Sequence, residues 1–139
     1  MAAGEGKRLH PITLTRPKHI MPVAGVPLLV HIINGLKSAG INEIIIVVRH
    51  FKERIMTLLK NGERFGVSIT YLEQKKCLGT GDAVNIVERY VDGDFLIVNG
   101  DVIVDPTVFS EVIKTHKASK PSVTLTVKEI EDASKYGVV

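Results

Sequence analysis

The sequence predicts an α/β fold: a three-layer α/β/α arrangement around a doubly wound, mostly parallel sheet. Three observations carry that expectation. Short β-branched runs alternate with helical stripes along the whole chain. One run, Ile44-Ile45-Ile46-Val47-Val48, is apolar at every position, as a strand covered on both faces must be. Glycine, proline and asparagine fall between the periodic segments, at the spacing of βαβ units.

Taken in order, the first segment, Met1 to Val23, resembles neither helix nor strand. It combines Gly4 and Gly6 with four basic side chains (Lys7, Arg8, Arg16, Lys18) and with Pro11, Pro17 and Pro22. Pro27 then stands where a first-turn proline belongs, and Leu28, Leu29, Ile32, Ile33 and Leu36 form one apolar helical stripe that Gly40 ends. After the Ile44–Val48 strand, Phe51, Ile55, Leu58 and Leu59 make a second stripe, stopped by Asn61-Gly62. Val67, Ile69 and Tyr71 alternate with Ser68, Thr70 and Leu72 as a strand. A polar, glycine-containing stretch from Glu73 to Asp82 leads into a short helix with Ala83, Val84, Val87 and Tyr90. Phe95-Leu96-Ile97-Val98 is expected as another buried strand, ending at Asn99-Gly100-Asp101. Pro106 opens a helix carrying Val108, Phe109, Val112 and Ile113, with Asp105 as its cap, and Val123, Leu125 and Val127 alternate as a further strand. Lys135 to Val139 reads as a turn and the start of one more.

At 139 residues the chain has the size of one domain, and 45% hydrophobic with 24% charged residues is ordinary globular composition. No apolar run approaches the roughly 20 residues of a membrane span, and the N-terminal stretch lacks a signal-peptide core, so a cytoplasmic protein with no membrane partner is expected. The net charge of +3 is modest, and no aromatic residue interleaves with the basic cluster, which argues against nucleic-acid binding. A single cysteine, Cys77, excludes an internal disulfide and any cysteine-based zinc site, and reads as a small packing residue. His10, His31, His50 and His116 have no metal-ligand spacing.

In an open parallel sheet, ligands bind outside the carboxyl ends of the strands, near the point where strand order reverses. That rim gathers the opening loop, Glu73–Asp82 and Asn99–Asp105. Gly4 and Gly6 let the backbone turn sharply and bring N–H groups to an oxyanion. Two phosphate motifs do not fit: G-x-G-x-x-G fails at Leu9, and the Walker pattern fails because Gly6-Lys7 is followed by Arg8, with Met1 where its first glycine belongs. Arg8 offers a rigid fork of donors for phosphate oxygens and Lys18 a mobile point charge. A solvated basic face is the bland alternative, but three prolines stiffening the backbone make more sense if those charges must be held in place.

The composite Ala2-Ala3-Gly4-Glu5-Gly6-Lys7-Arg8-Leu9-His10-Pro11, with Thr13, Arg16-Pro17-Lys18 and Met21-Pro22-Val23 at fixed spacing, resembles the signature of the sugar-1-phosphate nucleotidyltransferases. The types resembled are glucose-1-phosphate thymidylyltransferase and N-acetylglucosamine-1-phosphate uridylyltransferase. Members join a nucleoside triphosphate to a sugar 1-phosphate and release pyrophosphate. The resemblance implies the Rossmann-like nucleotide-diphospho-sugar transferase fold. It also implies that Ala2, Ala3, Gly4, Glu5 and Gly6 line the nucleotide. Arg8 would grip the triphosphate and the leaving pyrophosphate, and Lys18 would offset charge at the α-phosphate. Gln74, with the Gly79-Thr80 turn of Leu78-Gly79-Thr80-Gly81-Asp82, would read the base, and Gly100 would lie against the nucleotide. Asp101 would hold Mg²⁺, and Gly137 would contact the sugar phosphate. The Leu-Gly-Thr-Gly form leans towards enzymes that use UTP and acetylated amino-sugar phosphates, and the resemblance as a whole favours UTP or dTTP. Two departures stand out: the family commonly has Thr where Lys7 is, and a smaller or apolar residue where His19 is.

The residue types agree with these roles. A side-chain amide pairs with a base edge, and a lone carboxylate beside a glycine suits a magnesium ion shared with phosphates and water. Read alone, Thr80 is equally a helix cap, and a capping or turn role for Asp101 is favoured over a metal role. By the same resemblance, only Met1-Ala2-Ala3 represents the first strand, and further sugar and metal contacts would lie past Val139, so the chain reads as one domain, 1–139, incomplete at both ends. Nucleotidyl transfer is thus the expected function, with a homo-oligomer left open. The alternative is an inactive nucleotidyltransferase-like module that binds a nucleotide-sugar or assembles with a catalytic partner. A dinucleotide-binding oxidoreductase is disfavoured by the failed glycine pattern.

Overall fold

The computed structural model describes residues 1–76, 78–132 and 134. Its centre is the β-branched run. Glu43–Val48 (strand β3) pairs in parallel with Ser68–Glu73 (β4), in the register Ile44 with Ile69 and Val48 with Glu73. A minor hairpin precedes them: Pro22–Val23 (β1) pairs antiparallel with Val26–Pro27 (β2) around Ala24 and Gly25, both at positive φ.

Among the described residues, four α-helices accompany the parallel pair: Leu28–Ser38 (α1), Lys52–Leu59 (α2), Thr80–Asn85 (α3) and Thr107–Ser119 (α4). The apolar stripe of α1 (Leu29, Ile32, Ile33, Leu36) is buried against Ile46 and Val48 of β3, Ile55 and Leu59 of α2, Ile69 of β4 and Phe109 of α4. On the opposite face Val47 packs with Ala3 and with Ala83 of α3. Alternate residues of β3 therefore feed two cores, which is why the run has no polar position. Each branched side chain so covered contributes roughly 1.5–3 kcal/mol.

Where α1 meets α4, the ring of Phe109 lies so close to Gly35 that a Cβ there would stand 2.6 Å from its Cε2. Asp105 behaves as a cap should, its carboxylate accepting from the Thr107 N–H at 2.9 Å and the Thr107 hydroxyl at 2.7 Å. Thr80 does not cap α3; it is the first residue of that helix, and Gly79 stands before it.

Two expected strands are corrected. Residues 95–98 form no ladder, and Phe95 and Ile97 are 53% and 48% exposed, while Leu96 and Val98 pack on the main core. The reason lies in their neighbour. The Met1 nitrogen donates to the Val98 carbonyl at 2.6 Å and the Gly100 N–H to the Met1 carbonyl at 2.7 Å. A single residue cannot sustain a ladder. Residues 123–127 likewise form no strand, and Val123, Leu125 and Val127 are all exposed. The expected turn and strand start at 135–139 lie outside the described residues.

Candidate active site at the switch point

Met1 and Ala2 sit between β3 and the Val98–Gly100 segment. Ala2 donates to the Val47 carbonyl at 2.8 Å and forms a parallel bridge with Val48, while Met1 bonds the other side as above. The spatial order runs from β4 to β3, then the bridging Met1–Ala2, then the Val98–Gly100 segment, which is not a strand. The chain thus steps outward through β3 and β4, then returns past its start to the other side. In open parallel sheets ligands bind at the carboxyl ends of the strands where the order reverses, and the glycine loop leaves the sheet at that end.

The loop is pinned from inside. Gly6 has φ +72°, the left-handed region that favours glycine, and its carbonyl accepts the buried Thr13 hydroxyl at 2.8 Å. A Cβ on Gly6 would stand 3.1 Å from Thr13 Cγ2 and 3.4 Å from Lys18 Cδ. Three short 3₁₀ turns, Lys7–Leu9, Ile12–Leu14 and Lys18–Ile20, carry the chain round so that Lys18 returns alongside Gly4 and Gly6.

The Lys18 ammonium contacts Oδ2 of Asp101. Burial alone would raise the Asp101 carboxyl, but the Lys18 hydrogen bond and charge outweigh it and hold the carboxyl below its usual range. Beneath this pair, Gly100 fits a space with no margin: a Cβ would lie 2.5 Å from the Met1 carbonyl oxygen and 3.0 Å from His19 Cδ2. His19 is 2% exposed, and its Nδ1 has no hydrogen-bond partner among the described residues. Burial, reinforced by the Lys18 charge, lowers its pKa from 6.5 to about 4, so the ring is neutral at pH 7.

The rest of the rim is polar. Lys7 and Arg8 are exposed on the first 3₁₀ turn, and among the described residues no ion pair holds Arg8. Glu5 accepts from Arg49 Nη1 at 3.0 Å and lies 3.4 Å from the Lys7 ammonium. Gln74 is buried; its amide nitrogen donates to the Gly79 carbonyl at 3.0 Å and to Asp82 Oδ2 at 2.8 Å, which fixes the orientation of the amide. Its backbone N–H donates to the Val48 carbonyl at 2.9 Å. Gln74 therefore ties the Gly79-Thr80 turn to the end of β3.

A family model described as nucleotidyl transferase matches residues 1–139. The chain belongs to the nucleotidyl transferase family.

Among relatives of this nucleotidyl transferase chain, the bifunctional protein GlmU of Methanocaldococcus jannaschii is 37% identical over the whole chain, which covers 31% of that protein. The mannose-1-phosphate guanyltransferase of Candida albicans is 35% identical, with 39% of it covered. A Bacillus anthracis protein assigned as a glucose-1-phosphate thymidylyltransferase, solved with sucrose, superposes with a TM-score of 0.79 at 31% identity, over 86% of this chain and 49% of that one. A UDP-glucose pyrophosphorylase bound to UDP-glucose has a TM-score of 0.71 at 23% identity, a likeness of fold. The chain thus spans about a third of these curated relatives and half of the solved chains.

Of the residues singled out from the sequence, the structure gathers Gly4, Gly6, Lys18, Gly100 and Asp101 into direct proximity. It sets Ala2 and Ala3 in the sheet beneath them and places Gln74 on the Gly79 turn. Gly137 and Cys77 lie outside the described residues. No group of three or more His, Cys, Asp or Glu able to hold a metal occurs among the described residues, nor any helix long and apolar enough to cross a membrane. Sequence reasoning missed Arg49, whose role shows only in its partner. It also gave no role to Thr13, although a hydroxyl seven residues after a loop glycine is a plausible local clue.

Proposed function

We propose that this chain transfers a nucleotidyl group from a nucleoside triphosphate to a sugar 1-phosphate, releasing pyrophosphate. The observation that carries the reading is the meeting of Lys18 and Asp101 beside Gly4 and Gly6, at the switch point. It supports a reading in which a triphosphate enters over open backbone beside one cation and one carboxylate.

In the reaction an oxygen of the sugar phosphate attacks the α-phosphorus in line. The new P–O bond forms as the bond to the β-phosphate breaks, and the electron pair leaves with pyrophosphate. Lys18, close-packed against the loop, offsets charge that builds on the α-phosphate oxygens. Arg8, exposed and without an ion-pair partner among the described residues, grips the β- and γ-phosphates and then the leaving group. The prolines and the Thr13–Gly6 bond keep these charges aimed before substrate arrives.

The donor set also fits Mg²⁺. Asp101 is one hard, partly exposed carboxylate, and an ion held by a single side chain takes its other ligands from phosphates and water. When bound, the ion would neutralise phosphate charge. Lys18 would then have a second duty, balancing the Asp101 charge while no ion is bound.

For base choice, the nitrogen of the Gln74 amide is engaged by Gly79 and Asp82, and the carbonyl oxygen is its remaining polar atom. An acceptor there suits the ring N–H of uracil or thymine, favouring UTP or dTTP; guanine presents an N–H as well, in keeping with the guanyltransferases among the relatives. The test is pyrophosphate release from the purified chain with Mg²⁺, each nucleoside triphosphate and a panel of sugar 1-phosphates. Release with one pair only is expected. Nucleotide binding without release from any pair would favour the inactive binding module.

A further inference from the structure

The one acidic side chain on the glycine loop is out of place in a phosphate cradle. Glu5 sits between Gly4 and Gly6, where its charge repels a polyphosphate, yet both of its oxygens are engaged. Oε1 accepts from Arg49 Nη1 at 3.0 Å, and Oε2 lies 3.4 Å from the Lys7 ammonium. These contacts hold its carboxyl below the usual range, the Arg49 hydrogen bond acting most. Arg49 directly follows β3, whose last residue, Val48, bridges to Ala2 and accepts from the Gln74 N–H. The guanidinium therefore stands beside the glycine loop, at the carboxyl end of β3. The Arg49 and Glu5 side chains are 28% and 31% exposed, so solvent and ligands reach them.

We propose that Glu5 is a built-in stand-in for phosphate, and that Lys7 and Arg49 form an anion subsite which a triphosphate takes over by displacing the Glu5 carboxylate. A phosphate group presents a pair of anionic oxygens at nearly the carboxylate spacing, and charge-assisted bonds to a guanidinium and an ammonium suit either anion. An ion pair this exposed is weak, so exchange is easy. Until then the pair holds the loop against β3 and keeps two cations from binding stray anions. Arg49 thus joins Arg8 as a triphosphate-recognising residue. The inference rests on the proposed function, since it needs a polyphosphate at this rim.

Calorimetric titration of the 139-residue chain with inorganic tripolyphosphate and with UTP tests it. Glu5→Gln, which frees both cations, should tighten tripolyphosphate by about three- to tenfold, and Arg49→Met should weaken it by about as much. Arg49→Lys should recover part of the loss. In the double variant the gain from Glu5→Gln should shrink, because one of the two freed cations is gone. Equal gain in both backgrounds overturns the part of Arg49, and weaker binding by Glu5→Gln shows a purely structural brace and overturns the exchange. Wild type that binds neither probe overturns it as well. Transfer activity with unchanged variant affinities sinks the exchange alone. The expected variant pattern without pyrophosphate release from any pair sinks the transferase reading and leaves the exchange standing.

Discussion

Lys18 and Asp101 lie 83 positions apart in the chain and touch in the fold, ammonium against carboxylate. The pair makes Lys18 the point where the glycine loop and the Asn99–Asp105 turn meet. If that ammonium offsets charge on the transferring phosphate, Lys18→Gln should lower kcat by about 10²–10³-fold while changing the triphosphate KM by only a few fold. Steady-state pyrophosphate release measures both, and a kcat within twofold of wild type would remove Lys18 from the chemistry. The same variant should raise the Asp101 carboxyl pKa, because the burial that pushes it up is then unopposed by Lys18; NMR titration reads this directly.

Gly100 is held to the size of a hydrogen atom by the Met1 carbonyl and the His19 ring. Gly100→Ala must push backbone as well as side chain and should lower stability by about 1–3 kcal/mol. Urea denaturation followed by circular dichroism gives the value. An unchanged midpoint would mean that the Met1 carbonyl yields freely.

His19 ties stability to mild acid. In the folded chain its pKa is lowered to about 4, against 6.5 for the free side chain, so between those values the unfolded chain binds a proton that the folded one refuses. Stability should therefore be full above pH 6.5 and fall as the pH drops towards 4, by roughly 3 kcal/mol at most. His19→Leu should flatten that decline and be close to neutral at pH 7, since it removes a buried Nδ1 that has no partner among the described residues. Melting temperatures of both proteins at pH 7, 6 and 5 decide it: parallel curves would assign the acid sensitivity elsewhere.

Phe109 fastens α4 to α1 through its fit over Gly35. Phe109→Ala should cost about 3–5 kcal/mol, because the ring fills a space that the rigid face of α1 cannot close. The same urea measurement applies, and a loss under 1 kcal/mol would show α4 to be only loosely docked.

Much of the site is legible in the sequence because its chemistry is local. The glycines, Arg8, Lys18 and the prolines occupy one continuous stretch, and Asp101 follows an apolar run that stops abruptly. Strand β3 is legible for a related reason: a short run that is apolar towards both faces fits little besides a strand covered on both sides. What the sequence hides is context. Phe95–Val98 and Val123–Val127 have the composition of strands, but a strand is a property of its neighbours, and Met1 offers the first of these segments only single bonds. Arg49 and Glu5 are 44 positions apart, and nothing in the pattern of charges distinguishes that pair from the many others available. The Gln74 amide reads as a base contact from its residue type, whereas in the fold its nitrogen is engaged by Gly79 and Asp82, contacts that no single-residue reasoning supplies.

The bonds of Met1 and Ala2 have a mechanical consequence. Ala2 is anchored to Val47, and Met1 is shared with Val98 and Gly100, so the root of the glycine loop and the root of the Asp101 turn hang on one short bracket. A ligand that shifts one root must shift the other. Under the proposed function, an anion on the loop and a cation on Asp101 would then be linked equilibria, each strengthening or weakening the other by the same factor.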